Sequence, residues 1–180
     1  MKNLDICMNF TLGPSIEGGF SDNPNDPGGA TNHGVSIRAH REDIGDKDHD
    51  GDIDADDVKL LTLEDAKAIF QADYFAPCNA GQLPAPLALM VVDFAYNSGV
   101  RVACKKLQER LGVTADGKVG PHTLAVGNAL SPNILRSVIN AYAAARIDYL
   151  EGLSGWPIFG GGWESRVKAV REAALKLVEG

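Results

Sequence analysis

From residue 87 to residue 150 the chain is a succession of apolar-periodic segments, each stopped by glycine or proline. Leu87, Met90, Val91 and Phe94 recur at helical spacing over residues 87–98, and Gly99 ends the run. Residues 102–111 repeat the pattern and close on Gly112. Asp116-Gly117 marks a turn, Gly120-Pro121 opens another helix containing Leu124 and Val126, and residues 134–150 form a long apolar-periodic helix. Residues 154–162 read as a Gly-rich loop and 163–179 as a closing amphipathic helix. Upstream, Thr62 stands at an N-cap position with Asp65 three residues on, ahead of Ala66, Ile69 and Phe70. Residues 1–16 carry a partial helical pattern interrupted at Gly13-Pro14. Strand signals are sparse, with one short stretch at Val35-Ser36-Ile37. The reading is a mainly α chain with a small β element near residues 30–40.

Composition narrows what such a chain can do. Apolar residues at 44% and charged residues at 23% suffice for a core and exclude extended disorder. No apolar run approaches the roughly 18–20 residues of a membrane helix. Met1 to Asp5 has one Lys and no apolar stretch after it, so no secretory signal peptide is readable. Residues 101–180 hold 11 basic and 7 acidic groups, too few basic ones for a nucleic-acid footprint. Cys7, Cys78 and Cys104 show neither a CxxC pair nor zinc spacing and read as buried free thiols.

Residues 46–57 hold seven Asp against one Lys, a local balance of −6 within a net charge of −7. Asp46, Asp48 and Asp50 occupy positions 1, 3 and 5 of a twelve-residue EF-hand pattern. Gly51 sits at the sharp turn, Asp52 offers its backbone carbonyl, Ile53 buries its side chain, Asp54 is at position 9, and Asp57 stands at position 12 in place of Glu. Hard oxygen ligands at alternate positions suit Ca²⁺, and the expectation is a single calcium loop that stabilises the chain. A solvated acidic loop is the alternative. Dockerin modules carry a similar Asp-terminated loop.

The chemistry centres on Glu17, followed by Gly18-Gly19, which leave an approach open. Asp22 and Asp26 follow on a loop stiffened by Pro24 and Pro27, with Thr31 beyond. Cleaving an acetal needs a protonated acid at the leaving oxygen and a second carboxylate at the oxocarbenium-like centre or on water. Glu17-Gly18-Gly19-Phe20 and Asp26-Pro27-Gly28-Gly29-Ala30-Thr31-Asn32-His33-Gly34-Val35-Ser36 resemble the signature of phage-type glycoside hydrolase family 108 muramidases, with Phe20 where Tyr is common. The resemblance continues at Leu63-Glu64-Asp65-Ala66, at Asp93-Phe94-Ala95-Tyr96-Asn97-Ser98-Gly99 and at Gly162-Trp163-Glu164-Ser165-Arg166-Val167.

It implies a lysozyme-like fold, helical and two-lobed, acting on bacterial peptidoglycan. Glu17 would be the general acid, Asp26 the second carboxylate, and Thr31 would help orient the attacking water. Asp22 is the competing carboxylate, and Asn97 and Ser98 are candidate substrate-binding residues. The segment from Leu107-Gln108 through Asp116-Gly117-Lys118-Val119-Gly120-Pro121-His122-Thr123-Leu124 resembles a peptidoglycan-binding motif attached to such enzymes. The expected organisation is a catalytic lobe at 1–100 and a peptidoglycan-binding-like helical lobe at 101–180, packed as one compact lysozyme-like unit and acting as a monomer. The picture is an endolysin made in the cytoplasm of a phage host and acting in the periplasm or wall. A lytic transglycosylase, which needs no second carboxylate, and a non-catalytic calcium-dependent wall-binding module are the rivals. Trp156 and Trp163 could stack on sugars or pack in a core.

Overall fold

A computed structural model describes residues 3–13, 19–23 and 28–179. The chain divides into two compact units, one of Met8–Asp73 and one of Met1–Cys7 with Tyr74–Gly180. Helix α1 spans Asn3–Thr11. Asn3 donates its side-chain amide to the carbonyls of Ala80 (2.7 Å) and Leu83 (2.8 Å), which fastens the start of the chain into the larger unit.

The smaller unit contains an antiparallel pair, β1 (Thr31–Asn32) and β2 (Val35–Ser36), with Thr31 opposite Ser36 and Asn32 opposite Val35. The expected β element is there, but Ile37 belongs to the next helix, α2 (Ile37–Ile44), rather than to the strand. After the acidic loop come α3 (Ala55–Leu60) and α4 (Leu63–Phe70). Thr62 caps α4: its hydroxyl accepts from the Asp65 N–H (3.2 Å), while the Asp65 carboxylate accepts from the Thr62 N–H (2.8 Å). Asp is long enough to close the reciprocal box that Glu or Gln usually closes. Ala30, Val35, Ile44, Val58, Leu61, Ala66 and Ile69 form this unit's core, and Ile53 packs against it from the acidic loop.

The larger unit is helical. A π-helical turn (Gln71–Phe75) leads towards a 3₁₀ turn (Ala80–Gln82), then α5 (Ala85–Ser98) and α6 (Val100–Leu111). Helices α7 (Pro121–Asn128), α8 (Pro132–Glu151) and α9 (Trp156–Lys176) follow, three helices with Pro in their first turn. Helix α5 packs on α6, α8 and α9. Residues 86–95 of α5 are all buried, so a helix without a polar face becomes the axis of the bundle. Phe94, Leu107, Ile139 and Tyr142 fill its centre, and the Tyr142 hydroxyl donates to the Ala103 carbonyl at 3.0 Å.

One expectation is corrected. The Gly-rich run at 154–162 is largely helix, because α9 begins at Trp156 and continues through Gly160, Gly161 and Gly162. A Cβ at Gly160 would lie 2.7 Å from the indole of Trp156, so this glycine lets an aromatic ring lie against the helix instead of ending it. Trp156 and Trp163 have ring centroids 6.2 Å apart, and Phe159 lies 5.9 Å from Trp163. No helix among the described residues is long and apolar enough to cross a membrane.

Candidate active site and acidic loop

Glu17 and Asp26, the two carboxylates expected to carry the chemistry, lie outside the described residues. The hairpin beside them is described. Thr31 exchanges two backbone hydrogen bonds with Ser21, each 2.8 Å, so the segment preceding Asp22 runs as a third, one-residue bridge along β1. Asp22 is exposed. The Thr31 hydroxyl is half-buried and donates to the Gly29 carbonyl at 3.2 Å; its lone pairs remain available to a water proton.

Asn32, on the same hairpin, was not singled out from the sequence. Its buried side-chain amide donates to the carbonyls of Val58 (3.0 Å), Lys59 (3.2 Å) and Leu61 (3.3 Å). They lie at the end of α3, the helix that leaves the acidic loop, where the Val58 carbonyl also accepts from the Leu61 N–H at 3.2 Å. A polar residue facing inward between Ala30 and Val35 was the available signal.

The acidic loop runs from the end of α2 to the start of α3, a helix–loop–helix. Gly51 has φ +103°, the turn that position 6 demands. Side chains reach back to the backbone: Asp46 accepts from the Gly51 N–H (3.1 Å), Asp48 from Asp50 (3.2 Å) and Asp50 from Asp52 (3.1 Å). Asp57 closes the loop on its own beginning, accepting from the N–H groups of Lys47, Asp48 (3.3 Å) and Asp54 (2.8 Å). The Asp54 bond first, then those from Lys47 and Asp48, hold the Asp57 carboxyl below the usual carboxylate range. Asp52 is pushed the other way, chiefly by the Asp50 charge. Desolvation leads the rise at Asp48, with Asp50, Asp57 and Asp46 adding to it.

Carboxylate oxygens of Asp46, Asp48 and Asp50 lie within 4.8 Å of one another, as do those of Asp52, Asp54 and Asp57. That spacing is about twice a calcium–oxygen distance of ~2.3–2.6 Å, so either group could hold a metal ion. Asp46 Oδ1 is buried with no hydrogen-bond partner, an acceptor for which a cation is the natural complement. A third group sits nearby in the chain: buried His40 has Nδ1 3.1 Å from Asp73 and 3.5 Å from Asp43.

In the larger unit the structure gives the Asp93-to-Gly99 stretch of the resemblance a charged centre. Asp93 is fully buried, with Oδ2 2.6 Å from Arg146 Nη1 and Oδ1 2.7 Å from Arg166 Nη2. Arg146 also lies over the Phe94 ring, 4.9 Å from its centroid. Asn97 donates its side-chain amide to the Asp93 carbonyl at 2.6 Å, an i to i−4 bond in the last turn of α5 before its cap at Gly99. Asn97 and Ser98 share a small pocket with Arg146, Leu150, Leu153, Trp163 and Arg166. A lone Asp within an apolar helix was the signal that a buried cation had to exist elsewhere.

The segment after α6 is held by Gln108. It is buried, donating to Asp116 (2.8 Å), to the Lys118 carbonyl (2.9 Å) and to Thr123 (3.3 Å), and accepting from the Gly117 N–H (2.8 Å). The three cysteines are buried and unlinked, with Cys78 and Cys104 sulfurs 3.7 Å apart. Burial first, then the Asp93 charge, pushes the Cys7 thiol up to about 12, so it stays protonated at neutral pH.

The sequence profile of the Glycosyl hydrolase 108 family matches residues 10–99, which include Glu17, Asp26, Thr31, the acidic loop and α5. No curated protein sequence matches the chain significantly. Among solved structures, SagA of Brucella abortus superposes with a TM-score of 0.82 at 34% sequence identity, the alignment covering 98% of this chain and 96% of that one. A match to half of the chain, with end-to-end likeness at this identity, means that the chain belongs to the Glycosyl hydrolase 108 family and is a glycoside hydrolase.

Proposed function

We propose that this glycoside hydrolase is a muramidase that cuts the bond between N-acetylmuramic acid and N-acetylglucosamine in bacterial peptidoglycan. The observation that carries the reading is the family match across residues 10–99, which contains the Glu17-to-Ser36 signature in order. Glu17 donates a proton to the leaving glycosidic oxygen. Asp26 stays ionised and supports the oxocarbenium-like centre or activates water, and Thr31 orients that water. Asp22, Asn97 and Ser98 contribute to substrate binding. The segment at 101–180, the peptidoglycan-binding-like lobe, helps hold the glycan. The protein acts as a monomer, as an endolysin reaching its substrate in the periplasm or wall.

Ca²⁺ belongs to the same reading. Asp46, Asp48, Asp50, Asp54 and Asp57, with the Asp52 carbonyl, would hold it, and the buried unpartnered oxygen of Asp46 supports the fit. The ion would supply charge neutralisation and order in the loop. It takes no part in bond cleavage, which rests on the chain's own carboxyl groups.

The test is mass spectrometry of fragments released from purified peptidoglycan. Wild-type protein should release products with reducing N-acetylmuramic acid ends, and Glu17→Gln should release none. Reducing N-acetylglucosamine ends would assign the other glycosidic bond, anhydro ends would assign a transglycosylase, and activity surviving in Glu17→Gln would remove Glu17 as the acid.

A further inference from the structure

Cys78 and Cys104 are a pair of reactive groups that the cleavage chemistry leaves unused. Cys78 lies between the π-helical turn and the 3₁₀ turn, and Cys104 lies in α6. Both are fully buried, and their sulfurs are 3.7 Å apart. A disulfide needs ~2.05 Å, so side-chain movement of about 1.6 Å in total would join them.

Neither backbone is loose. Beside Cys78, the Asn79 side-chain amide donates to the Val119 carbonyl at 2.6 Å, and the Asn79 carbonyl accepts from the Gln82 N–H at 3.0 Å. Beside Cys104, the Ala103 carbonyl accepts from the Tyr142 hydroxyl at 3.0 Å. The fold itself therefore holds the two thiols in contact. As thiols they gain little from each other, since S–H is a weak donor and sulfur a weak acceptor. As a bond, the same pair would close a loop that contains the 3₁₀ turn and the whole of α5, the axis of the bundle.

We propose that Cys78 and Cys104 form a disulfide by exchange with a low-molecular-weight or protein disulfide, leaving Cys7 as the free thiol. The proposal rests on the muramidase reading only for the compartment, since the periplasm and wall are oxidising. One of the two cysteines, as its thiolate, attacks a sulfur of the incoming disulfide and expels the other sulfur as a thiol, which leaves a mixed disulfide. The second cysteine loses its proton, attacks the first cysteine's sulfur and expels the remaining thiol. Two electrons pass from the cysteine pair to the incoming disulfide, and the two protons end on the thiols released. Because both sulfurs are buried in the folded chain, the exchange takes place during folding, and the finished bond is shielded from reductant.

The experiment refolds the reduced full-length protein in a buffer of reduced and oxidised glutathione and then alkylates it in denaturant. Intact mass and a non-reducing peptide map are read. The chain should carry one alkyl group where fully reduced protein carries three, and the map should contain a linked pair of peptides holding Cys78 and Cys104. The melting temperature should rise on oxidation, by about 5 °C. Cys7→Ala should form the same bond, and Cys104→Ala should form no bond within the chain. The wild-type map stands even if a variant folds poorly. Three alkylated cysteines, a linkage through Cys7, or a melting temperature that fails to rise on oxidation would each overturn the proposal. Hydrolysis of purified peptidoglycan is followed on the same samples. Hydrolysis by a chain that keeps three free thiols overturns this inference alone, and the bond without hydrolysis overturns the muramidase reading alone.

Discussion

The side-chain amide of Asn32 donates to the Val58 carbonyl at 3.0 Å, joining the hairpin that carries Thr31 to the helix that leaves the acidic loop. The same nitrogen reaches the Lys59 and Leu61 carbonyls, so one buried group serves the end of α3. Asn32→Ala would remove the donor shared by these carbonyls, of which Val58 keeps the Leu61 N–H. The expected loss is about 1–3 kcal/mol of unfolding free energy, read by urea denaturation. Because Thr31 directly precedes it, activity should fall as well. A variant as stable and as active as wild type would show that the hairpin and α3 do not depend on this bond.

Calcium should act through the same connection. Seven Asp against one Lys within twelve residues oppose the folded loop, and the carboxyl of Asp52, raised first by the Asp50 charge, registers that repulsion. A cation that binds only the folded loop stabilises the protein by about 2.7 kcal/mol at a hundredfold excess over Kd. Added Ca²⁺ should therefore raise the melting temperature of chelator-treated protein, with Mg²⁺ weaker. Asp46→Asn should abolish the response. Asp57→Asn should abolish it too and also lower the baseline, because that carboxylate accepts three backbone N–H groups. An unchanged melting temperature in wild-type protein on adding calcium would remove the metal from the picture.

Much of the helical architecture was legible because its punctuation is local. Thr62 with Asp65, Gly99, Gly112 and Pro121 all mark helix ends where the structure has them. The start of α9 was misread because three consecutive glycines signal a turn by composition, and only the packing of Gly160 on Trp156 shows why they are helical. The charged centre was illegible for a different reason. Asp93 meets Arg146 and Arg166 across 53 and 73 residues of sequence, and no local pattern encodes such a pairing. Asn32 stood within the recognisable signature, yet its partners come from a helix 26 to 29 residues away.

On the proposed assignment, Asp26 separates two chemistries that would share Glu17 as the acid. A hydrolase needs its second carboxylate, whereas a transglycosylase lets a hydroxyl of the sugar itself close the ring. Asp26→Ala is expected to lower turnover on purified peptidoglycan by roughly 10²–10⁴-fold, the usual contribution of a positioned acid or base. Asp22→Ala should cost far less, since it is the weaker candidate by family spacing. Rates are compared from the appearance of reducing ends under identical substrate loading. Near-wild-type turnover in Asp26→Ala, together with loss in Asp22→Ala, would exchange their roles.

Asp116 supplies a pH test of the segment after α6. The Gln108 amide first, and then the Lys118 N–H at 2.8 Å, hold its carboxyl below the usual carboxylate range. A carboxyl depressed in the folded state adds stability that is fully present above the unfolded value of ~3.9 and is lost as pH falls through the folded value. Asp116→Asn removes that dependence. The stability gap between wild type and Asp116→Asn should be constant from pH 7 to about pH 5 and should narrow below about pH 4. Urea denaturation at a series of pH values measures it. A gap that stayed level down to pH 3 would mean that the ionised form of Asp116 does not hold Gln108, and that the turn at Gly117 is fixed by the Gly117 N–H to Gln108 bond alone.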